Sequence, residues 1–488
     1  MRLPLIGILA CITMAGAFAQ APRPALTDQQ LAGIDSFVAA EMKKEQIPGL
    51  SVGVYSRGTI LLAKGYGIAN VELSVPVRPE TLFQSGSVGK QFVSAAMMML
   101  VEQGKVSLDD SITKYFPDAP ATWKPILLKN LLSHTSGLAE YESPERTRVD
   151  GPFYLRMDYT EDELVKKIEA LPIENPPDEK WNYRNTNYAL LGILIHKVTG
   201  EPYAAYLGEH IFKPLGMTST RLISEADIIP NRAAGYRVNR RNELKNQEWV
   251  SPTFNSTADG TLYFNVLDLA KWDEALYTTK LLKQSSLDRM WTVFPLNNGK
   301  SNPAGYGFAW DIGDANGHKL IEHGGAWQGF TCDISRYPDD SLTVVVLTNL
   351  DAGHAKPEFM AHIIAGLADP PLGPKKLAGI EDKHPELLVP LRKLLDRLAA
   401  GEDIRDQTDV KLTAQMPPER MKFIQGVLAT IWPGGTLSLV DREPMENISV
   451  SMYRLTKPGG VTRLIYFGLD AGGKVGFFGT APDQDYKE

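Results

Sequence analysis

The sequence is poor in the features that mark several special classes of protein. Only two of its 488 residues are cysteines, so a network of disulfides cannot hold the fold together. Charged residues make up 22% and the formal net charge is −7, which predicts no nucleic-acid partner. The hydrophobic content of 43% is that of an ordinary globular protein and argues against several membrane spans.

Two catalytic signatures are missing as well. No H-E-x-x-H motif occurs and the eight histidines show no paired ligand spacing, which argues against a metallohydrolase. No G-x-S-x-G motif occurs, which argues against the nucleophile elbow of the α/β-hydrolases. The sequence therefore predicts neither a metal nor a cofactor.

The N-terminus has the pattern of a secretory signal peptide. Arg2 is followed by an uncharged apolar stretch, residues 3–15, and then by the A-x-A cleavage pattern Ala17-Phe18-Ala19. The apolar stretch is too short for a membrane span. We therefore predict a signal peptide over residues 1–19, export to the bacterial periplasm or the extracellular space, and no stable membrane insertion after cleavage.

The two cysteines have different predicted fates. Cys11 lies in the apolar stretch, at the end of a short pattern that weakly resembles a lipobox. It is lost if cleavage follows Ala19. The mature chain then keeps Cys332 alone and has no intramolecular disulfide. Because Cys332 lies in an alternating strand pattern, we predict a buried structural thiol rather than a nucleophile.

The chain is too long for one compact core and contains a proline-rich break. We predict one domain over residues 20–368, a linker over 369–375 and an accessory α+β domain over 376–488, in which two helices precede four alternating strands. The predicted helices of the first domain lie at 27–44, 90–103 and 356–367, and its predicted strands lie at 50–55, 59–66, 305–312, 318–323, 329–336 and 342–350.

Ser87 and Lys90 form an S-x-x-K pair at the start of a run that is apolar on nearly every side. Such a run predicts a buried helix, so Lys90 would follow Ser87 by one turn on the same face. A desolvated lysine has a lowered pKa and can take the proton that makes serine a nucleophile. A simple N-cap serine is the alternative. The spacing recurs at Ser111 and Lys114 without an apolar helix behind it, so we predict a loop or cap residue there.

A second candidate pair, Tyr183 and Asn185, precedes another apolar helical run. A phenol beside ammonium groups can lose its proton below its usual pKa and act as a base, and Asn185 can hydrogen-bond beside it. The same Y-x-N spacing recurs at Tyr263 and Asn265. Tyr263 therefore stays open as an alternative base.

A third element, His323-Gly324-Gly325, lies near the end of a predicted strand. Two glycines let a ligand approach the backbone closely. His323 can bind an anion or hydrogen-bond a tyrosine. Taken alone, this triplet is more typical of a turn.

In this order and spacing, the three elements resemble those of the serine β-lactamase and penicillin-binding protein superfamily. The closer likeness is to the class C β-lactamase-like branch, which includes D,D-carboxypeptidases, D-aminopeptidases and esterases. Residues 131–138 (LLSHTSGL), 212–218 (FKPLGMT) and 344–349 (VVVLTN) look like further segments of that branch. The resemblance covers residues 28–368. It implies an α/β (α+β) fold with an antiparallel sheet flanked by helices, an all-helical region beside it, and the site between them.

The resemblance also implies a role for each element. Ser87 would be the acylated nucleophile, Lys90 its proton partner and Tyr183 the general base for acylation. Asn185 would orient the substrate amide and the lysine. His323 would take the place of the lysine in the family's K-T-G element.

The backbone N–H groups of Ser87 and Ala326 would form the oxyanion hole, beside the substrate-binding Gly325. Histidine in the third element occurs in peptidase and esterase members, so the resemblance argues against efficient β-lactam hydrolysis. Gly324 lacks the hydroxyl of the family motif, and residues 258–265 depart from the family's small-residue stretch.

These features together predict a secreted serine hydrolase that acts through an acyl-enzyme on a small amide, a D-amino-acid peptide or an ester. Its expected partner is thus a small-molecule or peptide substrate. The alternative is a catalytically silent binding or scaffold protein of the penicillin-binding type. That alternative predicts a lost motif residue, whereas the serine, lysine, tyrosine and asparagine are all present.

Overall fold

A computed structural model describes residues 23–299, 301–374, 377–445, 448–459 and 462–482. The predicted signal peptide, residues 1–19 with Cys11, lies outside the described residues. The described chain folds as two compact units. Their boundary falls between Gly373 and Pro374, inside the stretch where the sequence predicts a linker.

The helices of the first unit are α1 (Asp28–Glu45), α2 (Lys90–Glu102), α3 (Leu128–Leu132), α4 (Pro144–Thr147), α5 (Glu161–Glu169), α6 (Asn185–Thr199), α7 (Tyr203–Leu207), α8 (Lys213–Leu215), α9 (Val266–Ala275), α10 (Gln284–Met290) and α11 (Pro357–Ala368). Within the described residues, no helix combines the length and the apolar character needed to cross a bilayer.

The strands of the first unit are β1 (Gly49–Ser56), β2 (Thr59–Asn70), β3 (Val75–Pro76), β4 (Phe83–Gln84), β5 (Arg221–Leu222), β6 (Tyr236–Val238), β7 (Leu244–Asn246), β8 (Leu262–Phe264), β9 (Asp311–Ala315), β10 (His318–Trp327), β11 (Phe330–Tyr337) and β12 (Leu342–Thr348). A seven-stranded antiparallel sheet has the order β3-β2-β1-β12-β11-β10-β9, and β4, β8 and β5 form a smaller sheet.

The large sheet is covered by an apolar core on each face. Successive side chains of a strand point to opposite faces, and β12 contains the run Val344-Val-Val-Leu347. Val344 and Val346 pack with α1 and α11, whereas Val345 and Leu347 pack with the helical region. This double cover explains why β1, β11 and β12 are buried along their whole length.

The predicted architecture, an antiparallel sheet with flanking helices and a helical region, is confirmed. The capping box at the start of α1 is present, since Thr27 and Gln30 exchange hydrogen bonds. The predicted strand over 305–312 is wrong, because β9 begins only near the end of that range. Gly305 and Ala309 have φ values of 68° and 64°, which turn the chain and exclude an extended strand.

The second unit is an α+β module. Its elements are α12 (Leu388–Ala399), α13 (Val410–Gln415), α14 (Pro418–Ile431), β13 (Thr436–Met445), β14 (Ile448–Thr456), β15 (Thr462–Leu469) and β16 (Val475–Pro482). The strands form an antiparallel meander in chain order, as predicted. Leu395 of α12 and Leu428 of α14 pack with Tyr453 and Phe467 of the sheet. The short helix α13 was not predicted.

Candidate active site

Ser87 lies in a single 3₁₀ turn, Gly86–Gly89, between β4 and α2. Its side chain is partly exposed, whereas its two neighbours in the chain are buried. Gly86 has a φ of 44° and lies so close to β10 that an added Cβ would be 2.3 Å from the Ala326 nitrogen. Only glycine fits there, so the turn is fixed against the strand while Ser87 stays accessible.

Lys90, the first residue of α2, is completely buried (0% exposed). Its Nζ donates hydrogen bonds to Ser87 Oγ at 2.9 Å, to Asn185 Oδ1 at 2.8 Å and to the carbonyl oxygen of Asp259. Burial lowers the pKa of Lys90 to about 8, although the negative charges of Asp259 and of two glutamates act in the opposite direction. Lys90 can therefore become a neutral proton acceptor near physiological pH.

Three acidic residues surround this lysine, and none of them stands among the site residues predicted from the sequence. Glu142 Oε2 accepts a hydrogen bond from Asn185 Nδ2 at 2.6 Å, and Glu140 Oε2 accepts one from the Asn185 backbone nitrogen at 2.6 Å. Asp259 Oδ2 accepts one from the Tyr141 hydroxyl at 2.6 Å. Burial raises the pKa of both glutamates. The sequence feature that could have indicated these two glutamates is their position, since both follow the LLSHTSGL segment closely.

Tyr183 lies against the same lysine, with its ring centre 5.0 Å from Lys90 Nζ. The ring packs on His134 of the LLSHTSGL segment, with the two ring centroids 4.2 Å apart. Its buried hydroxyl makes no hydrogen bond of normal geometry among the described residues, although the Ser87 side chain is near enough to lower its pKa. Burial outweighs that contact and raises the pKa of Tyr183 well above its usual value. The lowered pKa predicted from the sequence is therefore wrong, and Tyr183 is a neutral phenol.

The two competing motif copies lie away from this cluster. Tyr263 is on β8 and packs into a small apolar cluster with Leu82 and Ile223, and it is not among the residues that line the cleft beside Ser87. Ser111 caps the short 3₁₀ turn that follows it, which confirms the prediction of a cap residue. Geometry thus favours the first copy of each motif.

His323 is a buried residue of β10, with its ring centroid 6.1 Å from that of Tyr183. Its Nδ1 is 2.6 Å from the Gly324 carbonyl oxygen, which can only accept, so Nδ1 carries the proton. Its Nε2 then accepts a hydrogen bond from the Tyr306 hydroxyl at 2.8 Å. Burial and the charge of Lys90 lower the pKa of His323 to about 3. The imidazole is therefore neutral and bonded to a tyrosine, and it offers no positive charge to an anion.

The backbone of β10 passes directly beside the serine turn. A Cβ on Gly325 would lie 2.3 Å from the Ser85 carbonyl oxygen and 2.9 Å from the Ser87 nitrogen, so this glycine lets the strand approach the turn. Ser87 and Ala326, whose N–H groups are the predicted oxyanion hole, line one cleft. Its other lining residues are Gly86, Glu142, Asn185, Asp259, Gly260, Thr261 and Trp327.

Cys332 lies on β11, where it pairs with Gly325 of β10 in the sheet register. Its side chain is buried and its Sγ donates to the Ser85 carbonyl oxygen at 2.9 Å. Burial raises the pKa of the thiol well above its usual value. The prediction of a buried structural thiol is confirmed.

Known proteins are similar in sequence to the part of the chain that contains the candidate site. A family model described as Beta-lactamase matches residues 34–369, a range that contains every site residue named above. The putative penicillin-binding protein PbpX of Bacillus subtilis (strain 168) is 31% identical over 307 residues, which are 62% of this chain and 71% of that protein. Penicillin-binding protein 4* of the same strain is 28% identical over 317 residues, which are 60% of this chain and 68% of that protein.

Two solved structures share the fold. An octameric penicillin-binding protein homologue from Pyrococcus abyssi has a TM-score of 0.63 and 23% identity, and the match covers 93% of this chain and 96% of that chain. The D-amino acid amidase from Ochrobactrum anthropi SV3 has a TM-score of 0.58 and 25% identity, and the match covers 70% of this chain and 96% of that chain. The match to the Pyrococcus abyssi protein covers 93% of the chain, which is more than the residues of the first unit, so this match extends into the second unit.

We predict that the reactivity of Ser87 rises with pH through the pKa of Lys90. The neutral amine accepts the serine proton, so the rate of labelling by a fluorophosphonate should rise to a plateau above pH 8, since the pKa is about 8. Asp259→Asn removes a negative charge that raises this pKa, so the variant should reach its plateau at lower pH. Labelling would be followed by intact mass from mildly acidic to alkaline pH.

The matched control is Asp150→Asn, which changes an exposed aspartate far from the lysine in sequence and outside the cleft lining. Its pH profile should coincide with that of the wild type. A profile of Asp259→Asn that stays in place or moves to higher pH would show that Asp259 does not set the pKa of Lys90.

Proposed function

The chain belongs to the beta-lactamase family, and we propose that it is an exported serine hydrolase that forms an acyl-enzyme at Ser87. The observation that carries this proposal is the 2.9 Å hydrogen bond between the buried Nζ of Lys90 and Ser87 Oγ. Serine becomes a strong nucleophile when a base removes its proton, and Lys90 combines the position with a lowered pKa. The signal-peptide pattern over residues 1–19 supports export.

In the proposed acylation, Ser87 Oγ attacks the carbonyl carbon of the substrate while neutral Lys90 takes the hydroxyl proton. The new carbon–oxygen bond leaves negative charge on the carbonyl oxygen, which accepts hydrogen bonds from the N–H groups of Ser87 and Ala326. The proton then passes through the neutral phenol of Tyr183 to the leaving amine or alcohol, whose bond to the acyl carbon breaks. Tyr183 acts as a proton relay in this scheme and not as a phenolate base.

Deacylation repeats these steps with water. A water molecule attacks the acyl carbon, its proton passes to the same lysine and tyrosine, and Ser87 recovers its proton as the acid leaves. Asn185 keeps Lys90 in place throughout, since its Oδ1 accepts from Nζ while Glu142 holds its Nδ2. Asn185 is therefore a positioning residue for the lysine.

The charge of the cleft favours substrates without a carboxylate beside the scissile bond. His323 is neutral, and Gly324 has no hydroxyl to bind a carboxylate. The cleft lining itself includes Asp259, and it also includes Glu142, whose pKa is raised by burial. We therefore propose that the preferred substrates are esters or amides that are neutral or contain a free amine, such as D-amino-acid amides. The D-amino acid amidase among the structural relatives supports this choice.

Acyl-enzyme formation predicts a covalent adduct on one serine. Wild-type protein treated with a fluorescent fluorophosphonate should gain the mass of a single adduct, and Ser87→Ala should gain none. Ser111→Ala is the matched control, because it removes the serine of the second S-x-x-K copy and should label normally. An adduct that persists in Ser87→Ala would show that another residue is the nucleophile. An unlabelled wild type would instead favour the catalytically silent binding or scaffold protein.

The two Y-x-N copies provide a matched test of the proton relay. Tyr183→Phe should lower kcat for a reactive p-nitrophenyl ester by about 10²- to 10⁴-fold, because the relay hydroxyl is lost while the ring remains. Tyr263→Phe should stay near wild type, since that tyrosine packs outside the cleft. If steady-state kinetics showed a loss of kcat in Tyr263→Phe and none in Tyr183→Phe, Tyr263 would be the proton relay instead.

Substrate charge can be tested with closely related compounds. We expect kcat/KM to be highest for a D-amino-acid p-nitroanilide with a free amine, lower for its N-succinyl derivative, which adds a carboxylate, and lowest for the β-lactam nitrocefin. The L enantiomer and the uncharged N-acetyl derivative separate the effects of stereochemistry and of charge. A higher value for nitrocefin than for the neutral and amine-bearing compounds would contradict the proposed preference.

A further inference from the structure

Strand β10 directs His323 towards Tyr183 and directs a different set of side chains to its other face. Glu322 is the residue before His323, so their side chains point to opposite sides of the sheet. On the side of Glu322, helix α11 packs against the sheet, and His362 of α11 lies with its Nε2 2.6 Å from Glu322 Oε2. This face is separate from the catalytic cleft.

Three potential metal ligands come together where α11 packs against β10. Glu358 and His362 are four residues apart on the helix and therefore lie on the same face. One ligand atom from each of Glu322, Glu358 and His362 lies within 4.8 Å of the others. Glu322 and His362 are largely buried, whereas Glu358 is exposed, which leaves an entrance from solvent. A histidine and two carboxylates from two elements are a common basis for a divalent-cation site.

A fourth carboxylate supplies an independent observation. Asp333 of β11 is 1% exposed, and its Oδ1 accepts a hydrogen bond from Ser335 at 2.6 Å. Its Oδ2 is buried and has no hydrogen-bond partner among the described residues. Asp333 pairs with Gly324 in the sheet, and a Cβ on Gly324 would be 3.9 Å from that Oδ2, so the unpartnered oxygen lies on the Glu322 side of the strand.

The charges around this oxygen are unbalanced. Asp311 of β9 stands opposite Glu322 in register, so the described cluster contains four carboxyl groups and one imidazole. A buried carboxylate without a partner is unfavourable, and either a proton or a cation can satisfy it.

We propose that Glu322, Glu358 and His362, with the unpartnered oxygen of Asp333, form a binding site for a divalent transition-metal cation such as Zn²⁺. Carboxylate oxygens with one imidazole nitrogen suit Zn²⁺ or Mn²⁺ better than Ca²⁺ or Mg²⁺, which prefer all-oxygen sites. The cation would supply the missing partner of Asp333 and tie α11 to β10 and β11. The role is structural, so it is independent of the proposed reaction at Ser87.

The test uses the full mature chain without a histidine tag, dialysed against a chelator. Titration with Zn²⁺ in a calorimeter should show saturable binding of a single equivalent, and saturation should raise Tm. His362→Gln and Asp333→Asn should each weaken Zn²⁺ binding by at least about tenfold. Glu358→Gln serves as the second variant if a buried substitution prevents folding, because its side chain is exposed. Metal analysis after desalting checks the stoichiometry.

The matched control is His318→Gln. His318 also pairs with a carboxylate, Asp340, at 3.0 Å, but it does not belong to the three-ligand group. This variant should bind Zn²⁺ like the wild type. Absence of saturable binding would overturn the proposal in favour of carboxyl groups that share protons, and binding unchanged in His362→Gln and Asp333→Asn would place the ion elsewhere. Ca²⁺ binding as tight as that of Zn²⁺ would exclude the imidazole as a ligand. Labelling of Ser87, measured in parallel, reports separately on the proposed function.

Discussion

Keeping a lysine ammonium group out of water is the constraint around which the catalytic cleft is arranged. A buried charge is unfavourable unless its hydrogen bonds are satisfied, and Lys90 uses its three N–H donors on three acceptors. These acceptors belong to the serine turn, to the start of α6 and to the loop before β8. The contacts that keep the lysine buried therefore also fix the position of Ser87, so the proposed nucleophile and its proposed base are positioned by one set of interactions.

A second constraint is steric and concerns the backbone. Gly86, Gly260 and Gly325 lie where a Cβ would come within 2.3 to 2.5 Å of main-chain atoms in a neighbouring segment. Such approaches cannot be relieved by rotating a side chain. The serine turn, the loop before β8 and strand β10 are thus held together by close backbone packing. The two N–H groups of the proposed oxyanion hole are held by this packing, which does not depend on the charge of Lys90.

The residues that were predictable from the sequence are those whose geometry is local. Ser87 and Lys90 are three positions apart, and one helical turn brings such residues together whatever the rest of the chain does. The α1 capping box, in which Thr27 and Gln30 exchange hydrogen bonds, is local in the same sense. The acidic residues around Lys90 were not predictable, because Glu142 and Asp259 meet the lysine only after distant loops have packed.

Burial is the other quantity that a local pattern does not provide. Neighbouring ammonium groups suggest a lowered pKa for Tyr183, but desolvation dominates and raises it. The turn before β9 shows a related limit. Residues 305–312 include the apolar run Phe308-Ala-Trp310, which is typical of a strand, yet positive φ values at Gly305 and Ala309 bend the chain.

The neutral state of His323 follows first from its own burial and then from the charge of the buried lysine. A second cation beside Lys90 would repel it, and this repulsion together with burial lowers the pKa of His323 to about 3. With Nδ1 held by a carbonyl and Nε2 by the Tyr306 hydroxyl, both ring nitrogens have partners without any charge. A lysine at the same position would need a compensating anion on this side of the cleft, where the tyrosine provides only a neutral hydroxyl. The His-Gly-Gly element therefore contributes shape and hydrogen bonding beside the cleft, and in the proposed function it contributes no positive charge to substrate recognition.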